Sequence, residues 1–433
     1  METNLKATEN AEMFNLHEPT EALPQMIKKN RSLVGRISLT NTPTGPSSGF
    51  GKGGSSQFEV TIQNAQQIDL ESTFIEGDVK LTGNTNATAT AFYTGAHTAF
   101  SSVSVELDGK KIVDLQAHAD RVADYNLYTS KTRDELDYMQ SLMGCEIAMK
   151  NNDVVSFRVP ISLFGCSLST LIPTGAINST LRFRFTINQE PLNQLYKGNA
   201  AAAAGCVLTY NDLRIVSDFI ELQPLVLNKM LDLIESNNGL VVPYDAFYVD
   251  NRSLGVVKVL NERITVSYNN VKSIGQLPYD AARKAGGDEN YYRNLIWCAP
   301  DAVQTINDIK QYLVSFQGSQ YYNIGSNQGQ SQLAEHAQAL INATRSEHTA
   351  QGHGSQAVKN MNKYQVLACN FVRSPSTLSA SIIDSGVNAR LLSSVLTTSA
   401  NFTANFPAEK QLSTIVKYTR RIVFKNSQLD IMS

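Results

Sequence analysis

The feature that most constrains this chain is a period of two. Leu181, Phe183, Phe185 and Ile187 alternate with Arg182 and Arg184 between them, and Val103, Val105 and Leu107 repeat the pattern. Successive side chains of a strand point to opposite faces, so these runs read as half-buried strands. Similar segments recur along the chain. They are QFEVTIQ, IDLESTFIEGDVKLTG and SSVSVELDGKKIVDL in the first half, then ERITVSYNNV, NLIWCA, YLVSFQG and KYQVLACNFV in the second. Asp108-Gly109 is a hairpin signal inside the third of them.

Helical spacing interrupts this pattern in three places. Ala119 to Met143 is too long for a turn and reads as an insertion, and Ser331 to Arg345 is a second inserted helix. Leu225 to Glu235 follows Pro224 and stops at Asn237-Asn238-Gly239, a good start and stop pair, and it separates two strand-rich halves. The halves close alike, on Arg214-Ile215-Val216 and on Arg421-Ile422-Val423, which suggests a duplicated β-sandwich. The boundaries expected are 57–223 and 239–433 for the two sandwiches, with 224–238 as the joining helix.

Residues 1–56 differ from the rest. Met1 to Leu23 holds five Glu and one Lys, whereas Pro24 to Ser56 carries Lys28, Lys29, Arg31, Arg36 and Lys52 with no acid. Asn41 to Gln57, NTPTGPSSGFGKGGSSQ, is too rich in Gly, Pro and Ser to be expected to pack. The whole segment reads as a flexible arm and hinge, and its five cations are the candidate assembly residues.

Composition sets limits on function. With 433 residues there is ample length for two cores. Lys plus Arg number 37 against 39 acids, and only 18% of residues are charged, so neither a nucleic-acid binder's basic surplus nor a disordered chain is indicated. The uncharged apolar stretch Asn199 to Tyr210 is about half of what crosses a bilayer, and the Met1 end has no apolar signal core; a soluble product made in a cytosol is expected. Cys145, Cys166, Cys206, Cys298 and Cys369 never form a CxxC pair, so buried free thiols are expected in place of zinc or disulfides.

Apparent chemistry does not hold up. Gly49, Gly51 and Gly54 satisfy GxGxxG with Glu71 downstream, but a Pro/Ser loop precedes them and a strand follows, where a dinucleotide site needs strand before and helix after. Lys52 is followed by Gly53, so there is no Walker A loop. His17, His97, His118, His336, His348 and His353 fit no metal spacing. Gly352-His353-Gly354-Ser355 lacks an orienting context, and Asp134, Glu135 and Asp137 read as a solvated helix face. Asn-x-Ser/Thr at Asn30, Asn86, Asn178, Asn251, Asn342 and Asn401 matters only in a secretory lumen. No catalytic, metal or cofactor site is expected.

The order of segments from about Phe58 to Ser433 resembles the double jelly-roll major capsid proteins of tailless icosahedral DNA viruses, the lineage of adenovirus-type hexons, nucleocytoplasmic large DNA viruses, virophages and Polinton-like elements. The carriers are FEVTIQNAQQIDLESTFIEGDVKLTG, FSSVSVELDGKKIVDL and VPISLFGCSLSTLIPTGAINSTLRFRFTIN, then LTYNDLRIVSDFIELQP running into the joining helix. In the second half they are YLVSFQGSQYYNIGSNQGQSQLAEHAQALINATR, FVRSPSTLSASIIDSGVN and YTRRIVFKNSQLDIMS. The resemblance implies an all-β fold of two consecutive eight-stranded jelly-roll sandwiches with short inserted helices. It implies a structural, non-enzymatic protein that trimerises into pseudo-hexagonal capsomers and tiles a virion shell. Its partners would be further copies of itself, minor capsid and penton proteins, and an internal membrane or the genome through the arm. The alternatives are a minor or penton capsid protein and a carbohydrate-binding β-sandwich; a β-sandwich hydrolase would need a site that the sequence does not offer.

Overall fold

The computed structural model describes residues 33–43, 45–51, 53–63, 67–83, 91–92, 95–130, 133–145, 147–165, 179–189, 195–196, 206–235, 239–254, 259–280, 309–316, 319–324, 367–371, 394–402, 410–425 and 428–432. The strands of the first half are β1 (Leu33–Asn41), β2 (Phe50–Gly51), β3 (Gln57–Gln63), β4 (Gln67–Thr82), β5 (Ala91–Phe92), β6 (Phe100–Leu107), β7 (Lys110–Leu115), β8 (Val154–Pro160), β9 (Thr180–Ile187), β10 (Leu195–Tyr196) and β11 (Val207–Leu222). Helices α1 (Ala119–Ser130) and α2 (Arg133–Leu142) lie between β7 and β8, and α3 (Pro224–Glu235) follows β11. The second half contains β12 (Leu240–Leu254), β13 (Val259–Val266), β14 (Val271–Asp280), β15 (Ile309–Phe316), β16 (Ser319–Ile324), β17 (Leu367–Asn370), β18 (Ser394–Phe402), β19 (Lys410–Lys425) and β20 (Gln428–Met432).

Among the described residues two large sheets build each half, and β5 pairs with β10 in a short ribbon of the first. The large sheets run β1-β11-β4-β8 and β3-β9-β6-β7 in the first, β12-β19-β14-β17 and β13-β18-β15-β16 in the second, with β2 added to β11 and β20 to β19. Set aside the short accessory strands and count the rest of each half in chain order. Both halves then show one sheet ordered 1-8-3-6 and another ordered 2-7-4-5, the strand order of a jelly roll. The described sheets never mix strands from the two halves.

The alternating runs form strands because each supplies one apolar row to the space between two sheets. Phe58, Val60 and Ile62 of β3, Leu181, Phe183 and Phe185 of β9, and Val103, Val105 and Leu107 of β6 meet Ile75 and Val79 of β4 and Phe157 of β8. Ile264, Val314, Phe316, Leu396, Ile274 and Val416 do the same in the second roll. At the β6–β7 hairpin, Asp108 and Gly109 have φ of 47° and 75°, the paired positive values that an Asp-Gly turn accommodates. Pro224 opens α3 at the one position where a missing N–H costs nothing, and Val226, Met230 and Ile234 form its buried stripe.

The structure corrects the expected arm. Leu33–Asn41 is the first strand of the first roll, antiparallel to β11 with Ile37 opposite Phe219 and Leu39 opposite Ser217. The Gly-rich run also packs: Phe50 is 1% exposed, its ring meets Phe58 edge-on at 5.8 Å, and Gly49 N–H donates to the Tyr210 carbonyl at 3.1 Å. The reason is a backbone requirement. Without β1 and β2, one side of β11 would present a row of unpaired amide groups. The expected strand NLIWCA and the expected helix Ser331 to Arg345 lie outside the described residues.

Deleting residues 1–42 should therefore lower the melting temperature by at least roughly 5 °C, since each net hydrogen bond lost is worth about 1 kcal/mol. A differential scanning calorimetry trace unchanged by the deletion would show that β1 adds nothing to the roll.

Candidate functional site

Of the five cations expected to act together, the structure describes only the backbone of one. Arg36 sits within β1, opposite Ile220 of β11, so it belongs to the sheet. Lys28, Lys29, Arg31 and Lys52 lie outside the described residues. The organised polar chemistry is at the junction of the two rolls, and sequence reasoning missed it.

Two sets of contacts build that junction. At the far ends of β12 and β19, Tyr244 Oη donates to the Ile112 carbonyl of β7 at 3.0 Å, and Arg420 Nη1 donates to the Lys111 carbonyl at 3.3 Å. Lys110 Nζ, just past the hairpin turn, donates to the Leu429 carbonyl and pairs with Asp430 Oδ1 at 2.6 Å, tying the last strand to the first roll. Nearby, Tyr268 stacks on Tyr418 with ring centroids 3.8 Å apart. On the outer face of β12-β19-β14, Tyr125 of α1 lies directly over Gly275, where a Cβ would collide with its ring. Burial pushes the Tyr125 hydroxyl up to about 12, against a hydrogen bond with Ser273. The Phe247 ring covers Gly165 in the same layer.

Three charges meet in this layer, two buried lysines and a half-buried aspartate. Asp245 of β12 accepts from Lys272 Nζ of β14 at 2.6 Å and from Lys417 Nζ of β19 at 3.0 Å, and the Lys417 ammonium stands 5.6 Å from the Phe247 ring centroid. Burial alone would raise the Asp245 carboxyl; Lys272 and Lys417 outweigh it and hold the group near 2. Burial lowers Lys417 to about 8 despite Asp245. No motif could signal this group, because the residues come from three distant strands. The available hint was a lysine within each of two otherwise apolar runs, Val271-Lys272-Ser273-Ile274 and Ile415-Val416-Lys417-Tyr418.

A second buried cluster fastens the insertion. His97 Nε2 lies 2.8 Å from Asp124 Oδ1 with both side chains wholly buried, Arg121 lies 3.4 Å from Asp120 and 3.8 Å from Asp124, and Asn126 donates to the Leu163 carbonyl at 2.8 Å. Burial pushes Asp120 up and His118 down. His97, Arg121 and Asp124 are buried, and the cluster orients α1 on the roll. Burial raises the thiol of Cys206 and takes that of Cys369 to about 12, which keeps both protonated and inert. Among the described residues no three His, Cys, Asp or Glu side chains are grouped to hold a metal ion, and no helix is long and apolar enough to cross a membrane. Asp134, Glu135 and Asp137 fall in α2, with side chains outside the described set.

The outer sheet faces of the first roll carry charge ladders. Glu59 and Glu106 interleave with Arg182 and Arg184 across β3, β9 and β6. Glu76 of β4 lies between Arg158 of β8 at 3.0 Å and Arg214 of β11 at 3.2 Å.

With the strand order and junction established, the molecule falls in the double jelly-roll class, the fold of known major capsid proteins. The chain is similar to PBCV-1 VP54 as fitted into a cryo-EM reconstruction of the virophage Sputnik, with TM-score 0.63, 12% identity, and coverage of 92% of this chain and 96% of that one. It is similar to the Faustovirus major capsid protein, with TM-score 0.56, 10% identity, and coverage of 98% and 97%. The mavirus major capsid protein gives TM-score 0.50, 10% identity, and coverage of 96% and 93%. No protein-family model matches the sequence, and no curated protein matches it.

The buried triad predicts a pH response. A carboxyl held near 2 contributes stability that is complete above its unfolded value near 4 and is lost as pH falls through about 2. Lys417 gives a slope of the same sign in a higher window: the unfolded chain keeps its proton to higher pH, so stability rises between about 8 and 10.5. D245N should remove Asp245's share of the acid limb and cost about 3–5 kcal/mol at neutral pH by leaving two buried ammonium groups unpaired. Thermal melts from pH 7 to 2 check this; parallel wild-type and variant curves would show that Asp245 does not neutralise the lysines.

Proposed function

We propose that this chain is the major capsid protein of a tailless icosahedral DNA virus or a virus-derived element, assembling as a homotrimer into pseudo-hexagonal capsomers that tile a virion shell. The observation that carries the reading is the duplication: two jelly rolls with the same strand order in one chain, joined by a helix and docked sheet to insertion. Three such chains present six similar wedges around a threefold axis, which is what a hexagonal lattice needs from a trimer. Solved chains of this fold carry the description major capsid protein, and this chain matches them over nearly its whole length. A near-neutral total of -2 limits repulsion between neighbouring capsomers.

The finer parts of the reading are the partners. Minor capsid and penton proteins would fill the positions that a hexagonal block cannot. Lys28, Lys29 and Arg31, ahead of β1, could reach genome phosphates or an anionic membrane surface on the inner side of the shell. A single vertex role fits less well, because the duplicated roll would then have no use.

Light scattering on freshly purified protein should report the mass of three 47.5 kDa chains, and negative-stain images should show hexagonal blocks. A stable monomer at micromolar concentration would sink this reading.

A further inference from the structure

Four tyrosines gather at one end of the second roll. Tyr268, in the turn between β13 and β14, lies on Tyr418 of β19 with ring centroids 3.8 Å apart and planes within 13° of parallel. Aromatic pairs ordinarily avoid that arrangement, because the electron-rich ring faces repel, and they settle offset or edge to face. Phe50 with Phe58 and Phe100 with Phe164 do so here, at 89° and 86°. The backbone around the tyrosines imposes the stack. Thr419 N–H donates to the Asn270 carbonyl at 3.2 Å, which pins the turn to β19, and the small Ala246, opposite Tyr418 on β12, leaves room beside that ring. Tyr248 of β12 approaches Tyr268 at 5.8 Å, and Tyr244 and Arg420 stand near Tyr418.

We infer that Tyr268 and Tyr418 form an oxidation site, at which a one-electron oxidant couples the two rings into dityrosine and welds the turn after β13 to β19. Each ring gives one electron to the oxidant and its hydroxyl proton to water. The two phenoxyl radicals join through the ring carbons next to the oxygens, and the hydrogens on those carbons move to the oxygens as both rings regain aromaticity. One C–C bond has then replaced two C–H bonds, with two electrons and two protons released. Burial raises both hydroxyls, so neither is a phenolate at neutral pH and electron and proton must leave together. Tyr268 is half-buried, which gives the protons a path to water, and the Arg420 guanidinium near both rings disfavours a positive charge lingering on either. Coupling is ordinarily limited by the chance that two radicals meet in the right orientation. Here the rings are already in contact and parallel, with hydroxyls close enough to act on each other's ionisation, so the carbons that must bond start side by side. The weld has a structural consequence. β19 also carries Lys417 of the buried triad and Arg420, which donates to the Lys111 carbonyl of the first roll, so the cross-link fixes the strand on which the roll junction is built.

Brief illumination of the purified protein with ruthenium tris-bipyridyl and persulfate, a source of one-electron oxidant, tests the site. Peptide mapping should recover the Tyr268 and Tyr418 peptides joined and lighter by two hydrogens, as the main dityrosine product. Y268F and Y418F should each cut that product at least tenfold, while Y248F and Y138F leave it within twofold; Tyr138 is 61% exposed and meets the oxidant freely. Products formed between chains through other tyrosines persist in Y268F and are told apart in that way. If Y418F fails to fold, Y268F, placed in a turn, still decides. A joined Tyr268–Tyr418 peptide no more abundant than products of the exposed Tyr138 overturns the assignment. So does the absence of that peptide under light that converts free tyrosine to dityrosine.

Discussion

Docking one roll onto the outer face of the other's sheet is the constraint from which most of the unusual features follow. An antiparallel sheet in a sandwich normally has one face in the core and the other in water, and its strands alternate accordingly. In β12-β19-β14 both faces are buried, yet the outer one keeps Asp245, Lys272, Ser273, Ser413 and Lys417. Such groups survive burial only when satisfied. Each lysine reaches the same carboxylate, and Ser413 donates to Asn251. A buried ion group adds little net stability over well-packed apolar residues. What this one adds is geometry, because Asp245 can meet both lysines only when three strands are in register.

That constraint also explains what was legible in the sequence. Strands with one wet face, such as β3, β9 and β13, announce themselves by alternation, and the structure gives them alternating burial. The insertion Ala119 to Met143 was equally plain and resolves into α1 and α2. β1 was not read, since Gly35 and Arg36 break its pattern and the Gly-rich stretch behind it suggested a tail. Only the demand of β11 for a partner reveals it, and that demand is a property of the sheet. The roll junction was invisible for the same reason: Tyr125 and Gly275, or Asp245 and Lys417, become neighbours through topology alone.

The repeated Arg-Ile-Val triplets illustrate how far a short match can be trusted. They fall on β11 and β19, the eighth strand of each roll once the short accessory strands are set aside, so they point to the correct duplication. Their surroundings differ. Ile215 lies between Asn41 of β1 and Ile75 of β4, whereas Ile422 lies between Val242 of β12 and Ile431 of β20. The triplets are thus not equivalent in register. The duplication is carried by strand order, and the identical letters reflect what a central strand with one exposed row tends to contain.

The difference between the two outer faces has an energetic logic. Where the partner roll is always present, within one chain, the cost of stripping water from charges is met once, during folding, and a closed triad can meet it. The outer face of β11, β4 and β8 in the first roll instead carries its charges partly in water. Paired ions such as Glu76 with Arg158 and Arg214 suit that state, because partly exposed pairs are each worth only about 0–1 kcal/mol and keep their solvation. Such pairs are individually weak and salt-sensitive, so this face adds little to the stability of the roll, and its charges remain where water can reach them.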